Sequence, residues 1–105
     1  MIYLPRVWVF EDGYEPFYDP TKISIGKDVY FAYGCIVSGA GKIQISDEVM
    51  FGPYCVIVAG NHLRNTLTHS YRFSPPGIQD IEIGKGSWIG SHVVIAGGAI
   101  IESGV

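Results

Sequence analysis

The sequence contains three histidines, and theirs are the side chains best suited to proton transfer, because imidazole has an ordinary pKa of about 6.5. His62 and His69 lie in AGNHLRNTLTHSYRF, residues 59–73, a polar, basic and aromatic stretch within an apolar, glycine-rich chain. His92 lies in the segment SHVV. Since imidazole serves both as a general base and as a metal ligand, the role of each histidine depends on the elements that hold it.

The bulk properties of the chain limit its class. Its 105 residues, 48% of them hydrophobic, favour one globular domain with a modest core. A net charge of −3 without a run of Lys or Arg argues against binding to nucleic acid or to an anionic membrane. The sequence shows no apolar run of membrane-spanning length and no signal peptide in MIYLPRVWVFEDG. We therefore expect a cytoplasmic protein with reduced thiols.

A six-residue repeat determines the expected fold. Aliphatic or aromatic residues recur every six positions in three runs, and a small or compact residue often follows four positions later. The runs are Ile25, Phe31 and Val37; Ile45, Phe51 and Ile57; and Ile83, Ile89, Ile95 and Ile101. This period differs from the 3.6 of a helix and from simple alternation. It predicts a parallel β-helix with three short strands per coil, in which equivalent residues of stacked coils form columns about 4.8 Å apart.

Two departures from the period locate insertions. Residues 43–44 are interpreted as a two-residue insertion between the first two coils. The spacing of 26 residues between Ile57 and Ile83 predicts an extruded loop at about 60–81, a common place for a functional site in repeat proteins. The β-helix domain is assigned to 23–105, and residues 1–22 are expected to cap its first coil, with acceptor binding by their aromatic side chains as the alternative.

Cys35 and Cys55 occupy one column in neighbouring coils. Two cysteines do not define a disulfide framework. We expect both to be small buried hydrophobic residues, and a disulfide or a metal pair is the alternative.

Two segments carry a resemblance to a known family. IEIGKGSWIGSHVVIAGGAII and ISDEVMFGPYCVIVAGNH resemble the hexapeptide-repeat acyltransferases, in particular the galactoside, maltose and polysaccharide O-acetyltransferases. The similarity covers roughly 23–105 and implies an all-β, left-handed parallel β-helix of about three coils. It also implies acetyl-CoA as acyl donor, a sugar-like hydroxyl or amine as acceptor, and a homotrimer with sites between subunits.

The resemblance also suggests a role for each candidate residue. His62 matches the general base of the family, with loop packing as the alternative, and Ser91 matches the donor to the oxyanion, with a polar corner residue as the alternative. Trp88 and Gly90 are expected beside the cofactor, although Trp88 would equally suit a subunit interface. Asn61 and Tyr30 are the candidates for substrate binding, and Asn61 has ordering of the turn as its alternative.

The remaining histidines receive lesser roles, and no metal is expected. His69 lies in the loop with Arg64 and Arg72, where it contacts acceptor or cofactor phosphates or is simply solvated. His92 is expected at the surface. The three histidines lack the close, regular spacing that zinc-binding enzymes of this fold show.

Two differences from the family qualify the predicted activity. The chain stops at Val105, whereas the family continues with another coil and a tail that line the acyl-CoA site. Ala32 and Ala40 stand where galactoside acetyltransferases have polar sugar-binding residues, so galactosides are not the expected acceptors. The alternative function is a non-catalytic trimeric β-helix that serves as a structural or binding module.

Overall fold

A computed structural model describes most of the chain as a parallel β-helix. It describes residues 7–10, 21–39, 41–63, 67, 69–72, 76–77 and 79–105, and at 7–10, 61 and 76 the backbone only. The described residues form the strands β1 (Val7–Phe10), β2 (Ile23–Ile25), β3 (Tyr30–Phe31), β4 (Cys35–Ser38), β5 (Ile43–Ile45), β6 (Met50–Phe51), β7 (Val56–Val58), β8 (Asn61–His62), β9 (Pro76–Gly77), β10 (Ile81–Ile83), β11 (Trp88–Ile89), β12 (Val94–Ala96) and β13 (Ile100–Ile101). None of them belongs to a helix long and apolar enough to cross a membrane.

Three parallel sheets form the sides of the coil. Sheet A has the strand order β1-β4-β7-β12, sheet B the order β13-β10-β5-β2, and sheet C the order β11-β6-β3. Each coil passes from sheet B to sheet C and then to sheet A, and every pairing in these sheets is parallel. This confirms the all-β, left-handed parallel β-helix expected from the repeat and the resemblance.

The strand registers confirm the predicted columns. Ile45 pairs with Ile25 and Ile83, and Ile83 pairs with Ile101. In the other two sheets, the columns are Phe31, Phe51 and Ile89, and Val37, Ile57 and Ile95. The six-residue spacing predicted these columns because each strand-plus-corner unit contains six residues.

The core is a narrow apolar column enclosed by the three sheets. The repeat positions point inward, so residues such as Ile45, Phe51 and Ile57 have exposures of 1% or less. Phe31 and Phe51 stack with ring centroids 4.8 Å apart and planes 3° apart, which follows the spacing between coils. The side chains that face outward from the sheets therefore remain to form binding surfaces.

The predicted insertion at residues 43–44 was wrong. Ile43 and Gln44 lie within β5, where they pair without interruption with Ile23 and Ser24. The ladder is continuous because the extra residues lie upstream, in the corner between Ser38 and Ile43, where Gly41 N–H donates to Ala59 O at 2.8 Å. The corner absorbs extra residues without breaking a strand.

The N-terminal segment contributes one strand to the β-helix. β1 pairs in parallel with β4, so it extends sheet A beyond the first coil. Most of 1–22 lies outside the described residues. The boundary between a cap segment and the β-helix domain therefore stays a prediction.

Candidate functional site

The base of the extruded loop holds His62. β8 pairs antiparallel with β9, with Asn61 opposite Gly77 and His62 opposite Pro76. The His62 side chain is exposed. The side chain of Asn61 is outside the described residues, so its predicted contact with substrate stays a prediction. This two-stranded ladder was not predictable from the repeat, because neither strand follows the six-residue period.

Gly97 in the coil above fits closely against the loop base. A Cβ on Gly97 would lie 2.8 Å from the Cβ of Gln79 and 3.1 Å from Gly60 N. Gly98 N–H donates to Asp80 O at 2.8 Å and has a φ of 91°. These two glycines are therefore required by packing and turn geometry at the loop base.

The corner from sheet C to sheet A holds Ser91 and Gly90. Both the hydroxyl and the backbone N–H of Ser91 are without a hydrogen-bond partner among the described residues, and the residue is exposed. The corner is nevertheless rigidly held: Gly52 N–H donates to Ile89 O at 2.7 Å, and the Cys55 thiol donates to Gly90 O at 3.0 Å. A Cβ on Gly90 would have no atom within 4 Å. The site thus offers an unpartnered N–H donor on a fixed corner, in a residue that is itself exposed, next to the open space at Gly90.

Tyr30 and Trp88 lie on the outer face of sheet C. Met50 pairs with both, so the three side chains form one outward column, with exposures of 48% for Tyr30, 46% for Met50 and 69% for Trp88. The equivalent outward positions of sheet B are Ser24, Gln44 and Glu82, over which lie open depressions of about 470 and 350 Å³. The predicted substrate and cofactor residues of sheet C therefore share one outward column with Met50, and this column is less polar than that of sheet B.

A single chain does not bring His62 and Ser91 together. His62 follows the end of β7, whereas Ser91 precedes the start of β12, which pairs in parallel with β7. The two residues therefore lie beyond opposite ends of the parallel strands of sheet A, which we call its His62 edge and its Ser91 edge. At about 3.3 Å per extended residue, the segment 92–96 between these edges spans roughly 15 Å. Proton abstraction requires hydrogen-bond reach, so a site that uses both groups needs a second chain.

Tyr54 and His92 are two exposed residues whose environment the sequence analysis did not identify. They occupy the same corner position as Gly34, and all three have a positive φ, of 60°, 59° and 83° respectively. A residue with a bulky side chain is less stable in the left-handed backbone region than in the right-handed one, by about 1–2 kcal/mol. The signal was present in the repeat, since FAYGCI, FGPYCV and IGSHVV align Gly34 with Tyr54 and His92. His92 is exposed, as expected.

The two cysteines are buried free thiols in neighbouring coils. Cys35 and Cys55 have exposures of 0%, and the Cys35 thiol donates to Gly52 O at 3.2 Å. Burial raises the pKa of the Cys35 thiol, so the neutral form is favoured. Across the described ranges, no three His, Cys, Asp or Glu residues come together as a metal site would require.

The remaining predicted positions lie in the extruded loop and at two alanines of the first coil. His69 is exposed and has a φ of 55°, and Arg72 is exposed. Arg64 and Ala40 lie outside the described residues. Ala32 has only partial exposure at the corner that also holds Ser91 and Tyr54 in later coils.

Comparison with known proteins relates this geometry to acetyltransferases. The fold matches that of a maltose O-acetyltransferase from Clostridium difficile 630, with a TM-score of 0.67 and 24% sequence identity over 94% of this chain and 54% of that one. The chain therefore shares the hexapeptide-repeat β-helix fold of this acetyltransferase. Nodulation protein L of Rhizobium meliloti strain 1021 is 31% identical to this β-helix over 83 residues, and the same protein of Rhizobium leguminosarum bv. viciae is 34% identical over 83 residues. No family model matches the chain.

The similarity covers a part of each relative. The aligned region is 79% of this hexapeptide-repeat chain but 41% and 40% of the two nodulation proteins. The β-helix therefore spans less than half the length of the curated relatives that it matches.

Proposed function

We propose that this β-helix belongs to an acetyl-CoA-dependent acyltransferase that acetylates a hydroxyl or amine of a sugar or similar small acceptor. The observation that carries the proposal is the unpartnered N–H of the exposed residue Ser91 on a fixed corner, because acyl transfer requires a positioned donor to the oxyanion. The similarity to acetyltransferases supports the same reaction class. Acetyl-CoA is the acyl donor, and no metal takes part.

The proposed step uses two groups of the chain. The acceptor oxygen or nitrogen attacks the thioester carbonyl carbon while the imidazole of His62 takes its proton. The Ser91 N–H donates to the resulting oxyanion, with the hydroxyl beside it as a second donor. Collapse of the tetrahedral intermediate breaks the carbon–sulfur bond, and the proton passes from His62 to the leaving thiolate. The products are the acetylated acceptor and free coenzyme A.

The flanking residues suit the two substrates. Trp88 presents a large exposed apolar side chain for the pantetheine arm, and the open space at Gly90 leaves room for a thin chain beside Ser91. Tyr30 and Asn61 are the proposed acceptor contacts, and Tyr30 lies in the same outward column as Trp88. With Ala32 at the equivalent corner of the first coil, the acceptor is a sugar other than a galactoside.

The proposed assembly is a homotrimer with its sites between subunits. His62 and Ser91 stand at opposite edges of sheet A, so the His62 edge of one copy must face the Ser91 edge of the next. Three such contacts form a closed ring, in which each subunit uses its His62 edge against one neighbour and its Ser91 edge against the other. The free buried thiols of Cys35 and Cys55 are consistent with the proposed cytoplasmic location.

Release of free coenzyme A from acetyl-CoA, measured over a panel of sugars and amines, tests the proposal. His62→Ala should lower kcat by about 10²- to 10⁴-fold, the usual contribution of a general base. His69→Asn is the matched control, because asparagine tolerates the left-handed φ of 55° at that loop histidine. Equal activity of His62→Ala and the wild type would overturn the role of His62. Failure to bind any acyl-CoA would favour the non-catalytic binding module.

A further inference from the structure

The corner from sheet C to sheet A carries a continuous group of aromatic side chains. The rings of Tyr33 and Tyr54 lie with centroids 5.9 Å apart and planes at 79°, and those of Tyr54 and His92 lie 5.4 Å apart at 55°. The three residues come from three successive coils. We name them the aromatic corner. Tyr33 is 63% exposed and Tyr54 is 51% exposed, so the group faces solvent and contributes little to the core.

The backbone shows that rings at this corner are costly for the fold. Gly34 adopts the left-handed region without strain, whereas Tyr54 and His92 adopt the same region with bulky side chains. The corner from sheet B to sheet C has the same requirement and meets it with Asp28, Glu48, Gly86 and Gly104, none of them aromatic. Strained residues that persist at an exposed surface point to a function beyond folding.

Gly34 makes room for the group. A Cβ on Gly34 would lie 2.5 Å from Cδ1 of Tyr54, so the Tyr54 ring rests directly over the glycine backbone. Among the described residues, no group exchanges a hydrogen bond with the imidazole of His92, whose ring lies against that of Tyr54. The upper end of the aromatic corner therefore offers an exposed imidazole that is supported by a ring and available to a ligand.

The position of the aromatic corner indicates which ligand it suits. His92 directly follows Ser91, the proposed donor to the oxyanion, so a molecule held against this corner has its polar groups beside the reacting carbonyl. The two tyrosine planes are nearly perpendicular, and both side chains are more than half exposed, so each ring has surface open to a ligand. Aromatic faces attract the slightly positive C–H groups of an apolar surface. A pyranose ring has such a C–H surface and hydroxyls around its rim.

We propose that the aromatic corner binds the pyranose ring of the acyl acceptor, by stacking on Tyr33 and Tyr54 and by a hydrogen bond from a ring hydroxyl to the His92 imidazole. That this sugar is the acyl acceptor rests on the proposed acyl transfer. The binding of the sugar to the aromatic corner does not depend on that reaction. A second copy of the chain is the competing occupant of the aromatic corner.

Binding of methyl glycosides without acyl-CoA tests this site. Methyl glucoside, methyl mannoside and methyl N-acetylglucosaminide are titrated by saturation-transfer NMR into wild type, Tyr54→Gly and His92→Asn. Glycine at position 54 and asparagine at position 92 both tolerate the left-handed backbone of these positions. At least one glycoside should bind the wild type, with Kd raised about fivefold to tenfold in each variant. Asp28→Gly, with its φ of 56° at the other corner, is the control and should bind as the wild type does.

Three outcomes separate the possibilities. Unchanged affinity in both variants would overturn the proposal, even if acyl transfer to a sugar is observed. Loss of the oligomer in Tyr54→Gly or His92→Asn, measured by light scattering, would also overturn it and assign the aromatic corner to the subunit interface. Weakened glycoside binding in folded, oligomeric variants would support it, including the case in which no acetyl-CoA is consumed and the proposed acyl transfer fails.

Discussion

Gly52 lies directly below Ser91, and a Cβ on Gly52 would approach the Ser91 backbone nitrogen to 2.7 Å. Because Gly52 has no side chain, the backbone of the next coil can pack closely against it with the Ser91 N–H at its present position. The same corner is fixed by the bond from Gly52 N–H to Ile89 O at 2.7 Å. The proposed donor to the oxyanion is thus positioned by a residue of another coil that is itself not expected to touch the substrate.

Substitution of this glycine should disturb the donor. Gly52→Ala places a methyl group against backbone, so we expect a loss of stability of about 1–3 kcal/mol and a lower kcat. Gly90→Ala is the matched control, because its Cβ would meet no atom within 4 Å and should leave the free energy of unfolding unchanged. Urea denaturation and coenzyme A release measure the two effects. Equal stability of Gly52→Ala and Gly90→Ala would contradict the close approach.

The N–H and the hydroxyl of Ser91 can be separated by two substitutions. The corner sequence Gly52-Pro53-Tyr54 is equivalent to Gly90-Ser91-His92, so the backbone at this position already accepts proline. Ser91→Pro removes the N–H and should lower kcat by about 10²- to 10³-fold, as loss of an oxyanion donor does. Ser91→Ala removes only the hydroxyl and should cost much less. Equal losses in the two variants would assign the role to the hydroxyl.

The buried Cys35 thiol should make the stability sensitive to alkaline pH. Because burial raises its pKa in the folded state, the folded chain binds more protons than the unfolded chain once pH exceeds the ordinary thiol pKa of about 8.5. Stability is therefore full below that pH and falls as pH rises toward the folded pKa, by at most about 1.4 kcal/mol per pH unit. Urea denaturation between pH 7 and 10 measures this slope. Cys35→Ala should have a shallower slope, and an identical slope would contradict the assignment.

The sequence was sufficient to predict the regular part of this structure. Ile45 aligns with Ile25 and Ile83 because each hexapeptide packs its aliphatic residue into the same narrow interior. The placement of the insertion at residues 43–44 failed because a repeat count reveals extra residues without showing which corner absorbs them. Hydrogen bonds of the ladder decide that, and they keep Ile43 in its strand.

The site was predictable only where it follows the repeat. Trp88 and Tyr30 face outward because alternation along a short strand requires it. The ladder that holds His62 pairs two segments separated by the extruded loop, and such a pairing has no periodic signal. The left-handed backbone of Tyr54 is signalled only by the alignment of Tyr54 with Gly34 in the repeat, because the residue type itself argues against it.

The central claim is that His62 and Ser91 act on one substrate from different subunits, since they lie at opposite edges of sheet A. Co-expression of His62→Ala with Ser91→Pro, each carrying a different tag, allows mixed oligomers to be purified and compared with either variant alone. A mixed interface can pair the intact His62 of one subunit with the intact Ser91 of its neighbour. Random mixing in equal amounts should then restore about a quarter of the wild-type sites. Mixed oligomers as inactive as the separate variants would contradict a site shared between subunits.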